Sequence, residues 1–264
     1  MGKQSTNKKI QLSDKIILFG LPTFACIVSL YFKTSFLVST FLFFGLLAIW
    51  LSVRLPSRVP KVLLFAALLA IPVSIIVDYV GTMNGAWYVP QTVFSFRLFG
   101  TVPIEDVIWG FLLVYNPIMF YCNFFDSGSS KLLHKRMWFP VFFNTLTALF
   151  VVLSVNIFPE LLSLEYAYLW IGTIVLGVPL VLFVSRYPRY VKSFILVALY
   201  FFALGLLFEL VSLELGHWIF PGEGFVGWIH IFGQSMPVEE FIFWFVICSS
   251  ATLAYYLFFD TDLA

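Results

Sequence analysis

Two pairs of adjacent acids stand in strongly apolar surroundings and are the residues of this chain best suited to proton transfer. They are Glu105 with Asp106 and Glu239 with Glu240, each two residues after a proline. Two carboxyl groups held close together in an apolar setting do not both ionise easily, so one of them keeps its proton near neutrality. A neutral carboxylic acid in such a place is a proton donor for an apolar substrate.

The same pairs also suit a purely structural role. Pro103 and Pro237 mark expected helix starts, because proline is favoured at the first helical position. The acids would then lie in the first turn, where the helix dipole favours negative charge. Burial favours the neutral acid instead, and the sequence leaves that balance open. The apolar residues after each pair favour chemistry, since ionisable groups within membrane spans are costly and usually functional.

Both pairs belong to a repeat that covers most of the chain. Trp87 in the first copy corresponds to Trp218 in the second at an offset of 131 residues, and from the prolines onward the offset is 134. Four acidic positions recur in register and take eight of the fourteen acids in the chain: Asp78/Glu209, Glu105/Glu239, Asp106/Glu240 and Asp126/Asp260. Apolar sequence without a functional constraint would not repeat its charged positions in register, so the repeat indicates a function.

The elements that position these acids are predicted to be membrane-spanning helices. Hydrophobic residues make up 61% of the 264-residue chain and charged residues only 11%, which is too little charge for a surface in water. Eight apolar stretches are long enough to cross about 30 Å of hydrocarbon: 15–32, 36–53, 62–81, 103–125, 137–157, 166–184, 192–212 and 237–259. The basic start before the first stretch is also typical of a signal peptide, but the run is long and shows no small-residue cleavage site, so we expect a span.

Basic residues predict the orientation of these spans. In an eight-span chain thirteen of them fall on one side: Lys3, Lys8, Lys9, Lys15, Arg54, Arg58, Lys61, Lys131, Lys135, Arg136, Arg186, Arg189 and Lys192. Only Lys33 and Arg97 fall on the other side. Positive residues favour the cytoplasmic face, so both termini are expected there, in the cell membrane. No basic patch carries interleaved aromatic residues, and nucleic acid is not an expected partner.

The predicted fold is an all-α polytopic membrane protein of two parallel four-helix repeats, 1–130 and 131–264, which together form one membrane domain. An even number of spans returns the chain to its starting side, so the halves enter the membrane in the same direction. They are then related by a pseudo-two-fold axis along the membrane normal. Both acidic pairs, together with Asp78 and Glu209, should meet at one outward-facing level, in one site or in two.

Aromatic residues near the acids are the candidate lining of that site. Trp87 and Trp218 occupy matched positions, and Trp109 and Phe243 follow the acidic pairs by about one helical turn. Their ring faces would stabilise a developing carbocation, although an interfacial aromatic belt is the alternative. Arg97 either pairs with one of the acids or is a loop residue. The three cysteines lie at unrelated spacing, and no metal or cofactor is expected.

The two motifs resemble those of the lycopene cyclase domain family, the membrane-integral type found as two small subunits, as a fused chain or as half of a bifunctional enzyme. Segment 237–243, PVEEFIF, is a close match, and segment 103–109, PIEDVIW, is a looser one with Val107 in place of phenylalanine. The two-copy layout is similar to the fused form, with both subunits in one polypeptide.

The resemblance implies an isomerase (intramolecular lyase) of carotenoid biosynthesis that needs no cofactor. An acid would protonate the terminal double bond of lycopene or a related acyclic carotenoid, the internal alkene would attack the cation, and loss of a proton would leave an ionone ring. Water must be excluded, or the cation is trapped as an alcohol. The implied partners are the carotenoid, the bilayer and other enzymes of the pathway. Glu105 and Glu239 are the expected proton donors. Asp106 and Glu240 would hold the second charge, stabilise the cation or accept the returning proton, and Asp78 and Glu209 would position or tune these acids.

Two other functions stay open at this point. Paired intramembrane carboxylates also serve proton relays, so a proton-coupled membrane transporter is the alternative. Against a transporter, the acids are expected at one membrane level and no opposite gate repeats them. A non-catalytic scaffold in a pigment or lipid assembly is the third function.

Overall fold

The computed structural model describes residues 11–126 and 134–260, and helices dominate both ranges. Eight helices in these ranges are long and apolar enough to cross a membrane. They are α1 (Leu12–Phe32), α2 (Phe36–Arg54), α3 (Pro56–Met83), α4 (Ile104–Phe124), α5 (Lys135–Ser154), α6 (Ala167–Arg186), α7 (Pro188–Glu214) and α8 (Val238–Phe259). Each predicted stretch coincides with one helix, and the all-α polytopic membrane fold is confirmed.

Some residues used to predict orientation and domain division lie outside the described ranges: both termini, the boundary at 130 and 131, and Lys3, Lys8, Lys9 and Lys131. Within those ranges, Arg54 at the end of α2 pairs with Asp14 at the start of α1. Arg58 at the start of α3 lies 3.4 Å from Asp126, just beyond α4. These contacts place the start of one helix beside the end of the next, as expected for consecutive spans. The side chain of Asp260, which matches Asp126, is outside the described part of the chain.

A short β-hairpin precedes each acidic pair. In the first half β1 (Arg97–Leu98) pairs with β2 (Val102–Pro103), and in the second half β3 (Trp228–Ile231) pairs with β4 (Gln234–Pro237). Both turns contain a phenylalanine and a glycine with positive φ. The final proline of each hairpin is the N-cap of the following helix, one residue earlier than the predicted first helical position. The hairpins therefore fix where α4 and α8 begin.

π-helical turns interrupt three of the spanning helices in the described ranges. They are Phe41–Gly45 in α2, Thr173–Gly177 in α6 and Phe241–Ile247 in α8. The first two stand at matched positions, 132 residues apart. The third follows the second acidic pair directly, whereas α4 is regular α-helix after the first pair. Since π-turns often occur at functional sites, this difference between α4 and α8 marks the region around Glu240.

The two halves pack around one shared core. Phe44 of α2 lies edge-on to Phe208 of α7 at 4.9 Å, and Phe65 of α3 lies edge-on to Tyr256 of α8 at 5.3 Å. Tyr88 and its matched residue Ile219 pair through two backbone hydrogen bonds of 2.9 Å each. The ends of α3 and α7 and the starts of α4, α6 and α8 consequently meet at one end of the bundle, which we call the acid end.

Candidate active site

One cavity of about 330 Å³ opens between the halves at the acid end. Three of the six predicted carboxyl groups line it: Asp78 and Asp106 from the first half and Glu240 from the second. Four indoles share the same wall: Trp87, Trp109, Trp218 and Trp244. The rest of the lining is mostly apolar. Carboxyl groups that lie far apart in the sequence thus face one common space.

In the first half, two carboxyl groups face each other. Asp78 stands near the end of α3 and Asp106 in the first turn of α4, and both are at most 9% exposed. Their carboxyl groups lie close enough to interact directly. A hydrogen bond between two carboxyl groups forms only when one of them carries a proton. The indole N–H of Trp87 donates to the Asp78 Oδ1 atom at 2.5 Å and so fixes the Asp78 side of the pair.

In the second half, the carboxyl group on the cavity wall is bonded to a phenol instead. The hydroxyl of Tyr168, at the start of α6, donates to Glu240 Oε2. Glu209, near the end of α7, accepts from the indole N–H of Trp218 at 3.0 Å and interacts electrostatically with Glu240. Glu209 is only 1% exposed and does not line the cavity. Its link to the cavity therefore runs through Trp218 and Glu240, which line it.

The acid–indole pairs follow from the way α3 and α7 end. Gly85 and Gly216 adopt the left-handed conformation, with φ of 69° and 67°. In each case the next residue donates its N–H five residues back, Ala86 to Gly81 at 2.9 Å and His217 to Ser212 at 2.8 Å. This arrangement reverses the chain after a helix end and favours glycine. The following indole is thereby directed back to an acid nine residues earlier.

Glu105 and Glu239, the acids expected to donate protons, lie outside the cavity. Glu105 Oε1 accepts the backbone N–H groups of Val93 and Phe94 at 2.6 and 3.0 Å. Glu239 Oε1 accepts the N–H of Val226 at 2.7 Å. Both side chains are at most 1% exposed. Successive helical residues point about 100° apart, so when Asp106 and Glu240 face the cavity these two face the loops.

Of the predicted lining residues, Trp109 is the most central. Its ring lies 6.2 Å from that of Trp218 and 5.6 Å from that of Trp244, so three indoles form a continuous aromatic surface. Phe243 is buried outside the cavity against α6, where a Cβ at Gly172 would come within 2.1 Å of its ring.

Arg97 lies outside the cavity and holds the loop before α4. Its guanidinium donates to the carbonyl groups of Val89 at 2.7 Å and Thr101 at 3.1 Å. It also interacts electrostatically with Asp78 and Asp106. Arg97 is thus a loop residue whose charge lies near the acids.

The cavity continues from the acid end to the opposite end of the bundle. Its lining includes Phe139 at the start of α5 and Phe259 at the end of α8, whose rings stack at 6.4 Å. From Glu240 to Phe259 the rise along α8 is about 28 Å at the usual helical pitch. The wall between these ends carries few polar groups, among them Asn144 and Thr252. The space fits a long, slender apolar molecule whose end meets the carboxyl groups.

Sequence reasoning missed the Tyr168 contact with Glu240. Its signal was the repeat itself: at an offset of 132 residues, which relates Gly45 to Gly177, Tyr168 corresponds to Phe36. A hydroxyl present in one copy and lacking in the other is a difference that an alignment of the halves displays.

No group of three or more histidine, cysteine or acidic side chains suited to a metal occurs in residues 11–126 and 134–260. Comparison with models of protein families, with curated proteins and with solved structures gives no match to this chain. The geometry of the site is therefore the basis for assigning a function.

Proposed function

We propose that the protein is a carotenoid cyclase that closes the acyclic end group of lycopene, or of a related polyene, to an ionone ring. The observation that carries this proposal is the meeting of Asp106, Glu240 and four indoles on the wall of one apolar cavity. Protonated carboxyl groups supply a proton to an alkene, and indole faces stabilise the cation that results. Few other reactions need both a protonated carboxyl group and indole faces on an apolar wall.

The reaction leaves the composition of the substrate unchanged. A carboxyl O–H bond breaks and a C–H bond forms at the terminal double bond of the polyene. The internal alkene then attacks the cation and closes the ring, and a ring carbon returns a proton to the carboxylate. The apolar lining excludes water, which would otherwise trap the cation as an alcohol. The length of the cavity supports a linear substrate, since lycopene is about as long as the hydrocarbon core, roughly 30 Å, is thick.

The proposal moves proton transfer from Glu105 and Glu239 to their neighbours. Asp106 and Glu240 line the cavity, whereas Glu105 and Glu239 hold the loops before α4 and α8. Asp106 and Glu240 line the same space, so one end group is cyclised at a time. A substrate cyclised at both ends must turn around between the two reactions.

The test is expression in cells that accumulate lycopene, with extracted pigments separated by chromatography and identified by mass. Wild type is expected to yield ring-containing isomers of unchanged mass, and in D₂O each ring should gain one deuterium from the donor acid. Glu240→Gln should abolish the product at matched protein level. Glu214→Gln, which changes an exposed acid of α7, is the control expected to retain it.

Unchanged lycopene in cells containing folded wild-type protein would contradict the proposal. Hydroxylated products would instead indicate a hydratase, in which water reaches the cation. Proton movement into closed vesicles, dependent on Glu240 and without any conversion of lycopene, would favour the transporter.

A further inference from the structure

The two halves place an aromatic ring at matched helix starts, but only one of the two rings carries a hydroxyl group and lines the cavity. Phe36, at the start of α2, lies edge-on to Trp218 at 5.3 Å. Tyr168, at the matched start of α6, lies edge-on to Trp87 at 5.0 Å. Each ring therefore supports the indole of the other half. Packing is satisfied by the ring in both copies, so packing alone does not explain the phenol.

The phenol of Tyr168 is hydrogen-bonded to Glu240, the second-half acid that lines the cavity. The Tyr168 hydroxyl donates to Glu240 Oε2, and the two side chains are 1% and 5% exposed. Both line the cavity. In the first half the matched Phe36 has no hydroxyl group, and Asp106 lies against the carboxyl group of Asp78 instead. The two cavity acids thus differ in what stabilises them after they lose a proton.

We propose that Tyr168 is a positioning residue that makes Glu240 the working proton donor, while Asp106 and Asp78 stabilise the cation. This inference rests on the proposed cyclase function. When the Glu240 O–H bond breaks and a C–H bond forms on the substrate, the new carboxylate keeps the phenol O–H as a charge-assisted hydrogen bond. Such a bond is roughly twice as strong as a neutral one. The contact is therefore stronger after proton transfer than before it, and only that difference lowers the barrier.

The return step uses the same pair. The carboxylate of Glu240 accepts the proton that leaves the ring carbon as the ring double bond forms, and the original O–H bond is restored. Protons and electrons then balance with no further reactant. Tyr168 keeps its own proton throughout, so its part is to hold and stabilise Glu240 and not to react.

The test compares Tyr168→Phe with Tyr115→Phe in membranes supplied with lycopene. Tyr115 is an equally buried phenol, bonded to Ser52 and outside the cavity lining. Tyr168→Phe should lower kcat by roughly 10²-fold, the usual effect of losing one preorganised donor, with KM unchanged. The solvent deuterium isotope effect on kcat should rise, because proton transfer becomes more rate-limiting. Tyr115→Phe should leave kcat and the isotope effect as in wild type.

A second variant separates hydrogen bonding from packing. A fluorinated tyrosine at position 168 keeps the ring and is a stronger donor, so kcat should be maintained or raised. Wild-type conversion of lycopene with an unchanged kcat in Tyr168→Phe would overturn the role of Tyr168 and leave the cyclase proposal intact. Absence of conversion by folded wild type would overturn the cyclase proposal, and this role with it.

Discussion

At the acid end the two halves have the same backbone arrangement but differ in the groups that contact their carboxyl side chains. In each half a left-handed glycine ends a long helix, and an indole then donates to an acid: Trp87 to Asp78 and Trp218 to Glu209. The first half goes on to join two carboxyl groups, whereas the second joins a carboxyl group to the phenol of Tyr168. A duplicated frame can therefore hold two acids at one cavity and assign them different tasks.

The largest effect is expected at Glu240 and Asp106, the two acids of the repeated pairs that line the cavity. Glu240→Gln should lower kcat for cyclisation by roughly 10²- to 10⁴-fold, the usual contribution of a general acid. Asp106→Asn keeps a polar group beside Asp78 and removes only electrostatic stabilisation of the cation, so its effect on kcat should be smaller, at most about 10²-fold. Initial rates on lycopene in membranes with equal amounts of each variant measure the difference. Equal losses in the two variants would contradict a division of tasks between the halves.

The next effect concerns the space that Trp87 needs to reach Asp78. A Cβ at Gly81 would lie 2.3 Å from the Trp87 ring, so Gly81→Ala should displace the indole. We expect a loss of about 1–3 kcal/mol in the free energy of unfolding, as for other overpacked sites, together with reduced activity.

The matched position offers the control. Ser212 replaces Gly81 in the second half, and its hydroxyl contacts the His217 ring at 3.3 Å. Ser212→Ala should cost about 1 kcal/mol or less, since it removes one hydrogen bond and adds no atoms. Thermal unfolding in detergent, followed by loss of the monodisperse protein peak, compares the two. A greater loss of stability in Ser212→Ala than in Gly81→Ala would show that the Trp87 ring can move away from a side chain at position 81.

A smaller difference is expected between the loop-binding acids. Glu105 accepts two backbone N–H groups and Glu239 accepts one, in both cases across the turn before the acidic helix. Each lost hydrogen bond costs about 1 kcal/mol, so Glu105→Ala should destabilise the protein about twice as much as Glu239→Ala.

Unfolding midpoints of these two alanine variants test that ratio. Glutamine at either position keeps an acceptor oxygen and should preserve most of the stability. If Glu105→Gln or Glu239→Gln instead abolished cyclisation in fully folded protein, the proton would have to come from these acids after all.

The smallest effect is the dependence of stability on pH that His217 contributes, since the matched position of the first half has no titratable group. Burial lowers the pKa of His217 below the ordinary value of 6.5, and Ala86 stands at the matched position. The unfolded chain therefore binds this proton at a higher pH than the folded protein. The stability contribution is fully present above about pH 6.5 and is lost as the pH falls through the lowered pKa.

His217→Ala removes that dependence. Wild type should lose up to about 1.4 kcal/mol more stability per pH unit than His217→Ala below pH 6.5. Unfolding midpoints of both proteins between about pH 8 and pH 5 measure it. Parallel curves would show that the imidazole can gain its proton inside the folded protein, where it now contacts Ser212 and the Thr34 carbonyl.

Prediction from sequence succeeded where the signal is local. The eight spans were located because the length of an apolar run indicates both that a helix lies in lipid and how long the helix is. Pro103 and Pro237 marked the starts of α4 and α8 to within one residue. The repeat also drew attention to Trp87 and Trp218, whose contacts with acids nine residues earlier depend only on a helix end and a glycine.

Prediction failed to resolve what depends on helix rotation. Adjacent acids cannot both face the same cavity, and nothing in the order of Glu105 and Asp106 tells which one does. The answer depends on how α4 packs against α3, since that contact sets the face turned inward. The contact between Tyr168 and Glu240 joins residues 72 apart and depends on the packing of α6 against α8.

The sequence by itself determined that the protein has membrane-spanning helices, where those helices lie, and at which end of the bundle its acids stand. Each of these features depends on the composition of a short segment. The tertiary structure decided that the acids of both halves meet in one cavity, that Asp106 and Glu240 face it, and that a phenol stands beside only one of them. These features depend on rotations and distances between helices, which the packing of large side chains in the shared core fixes.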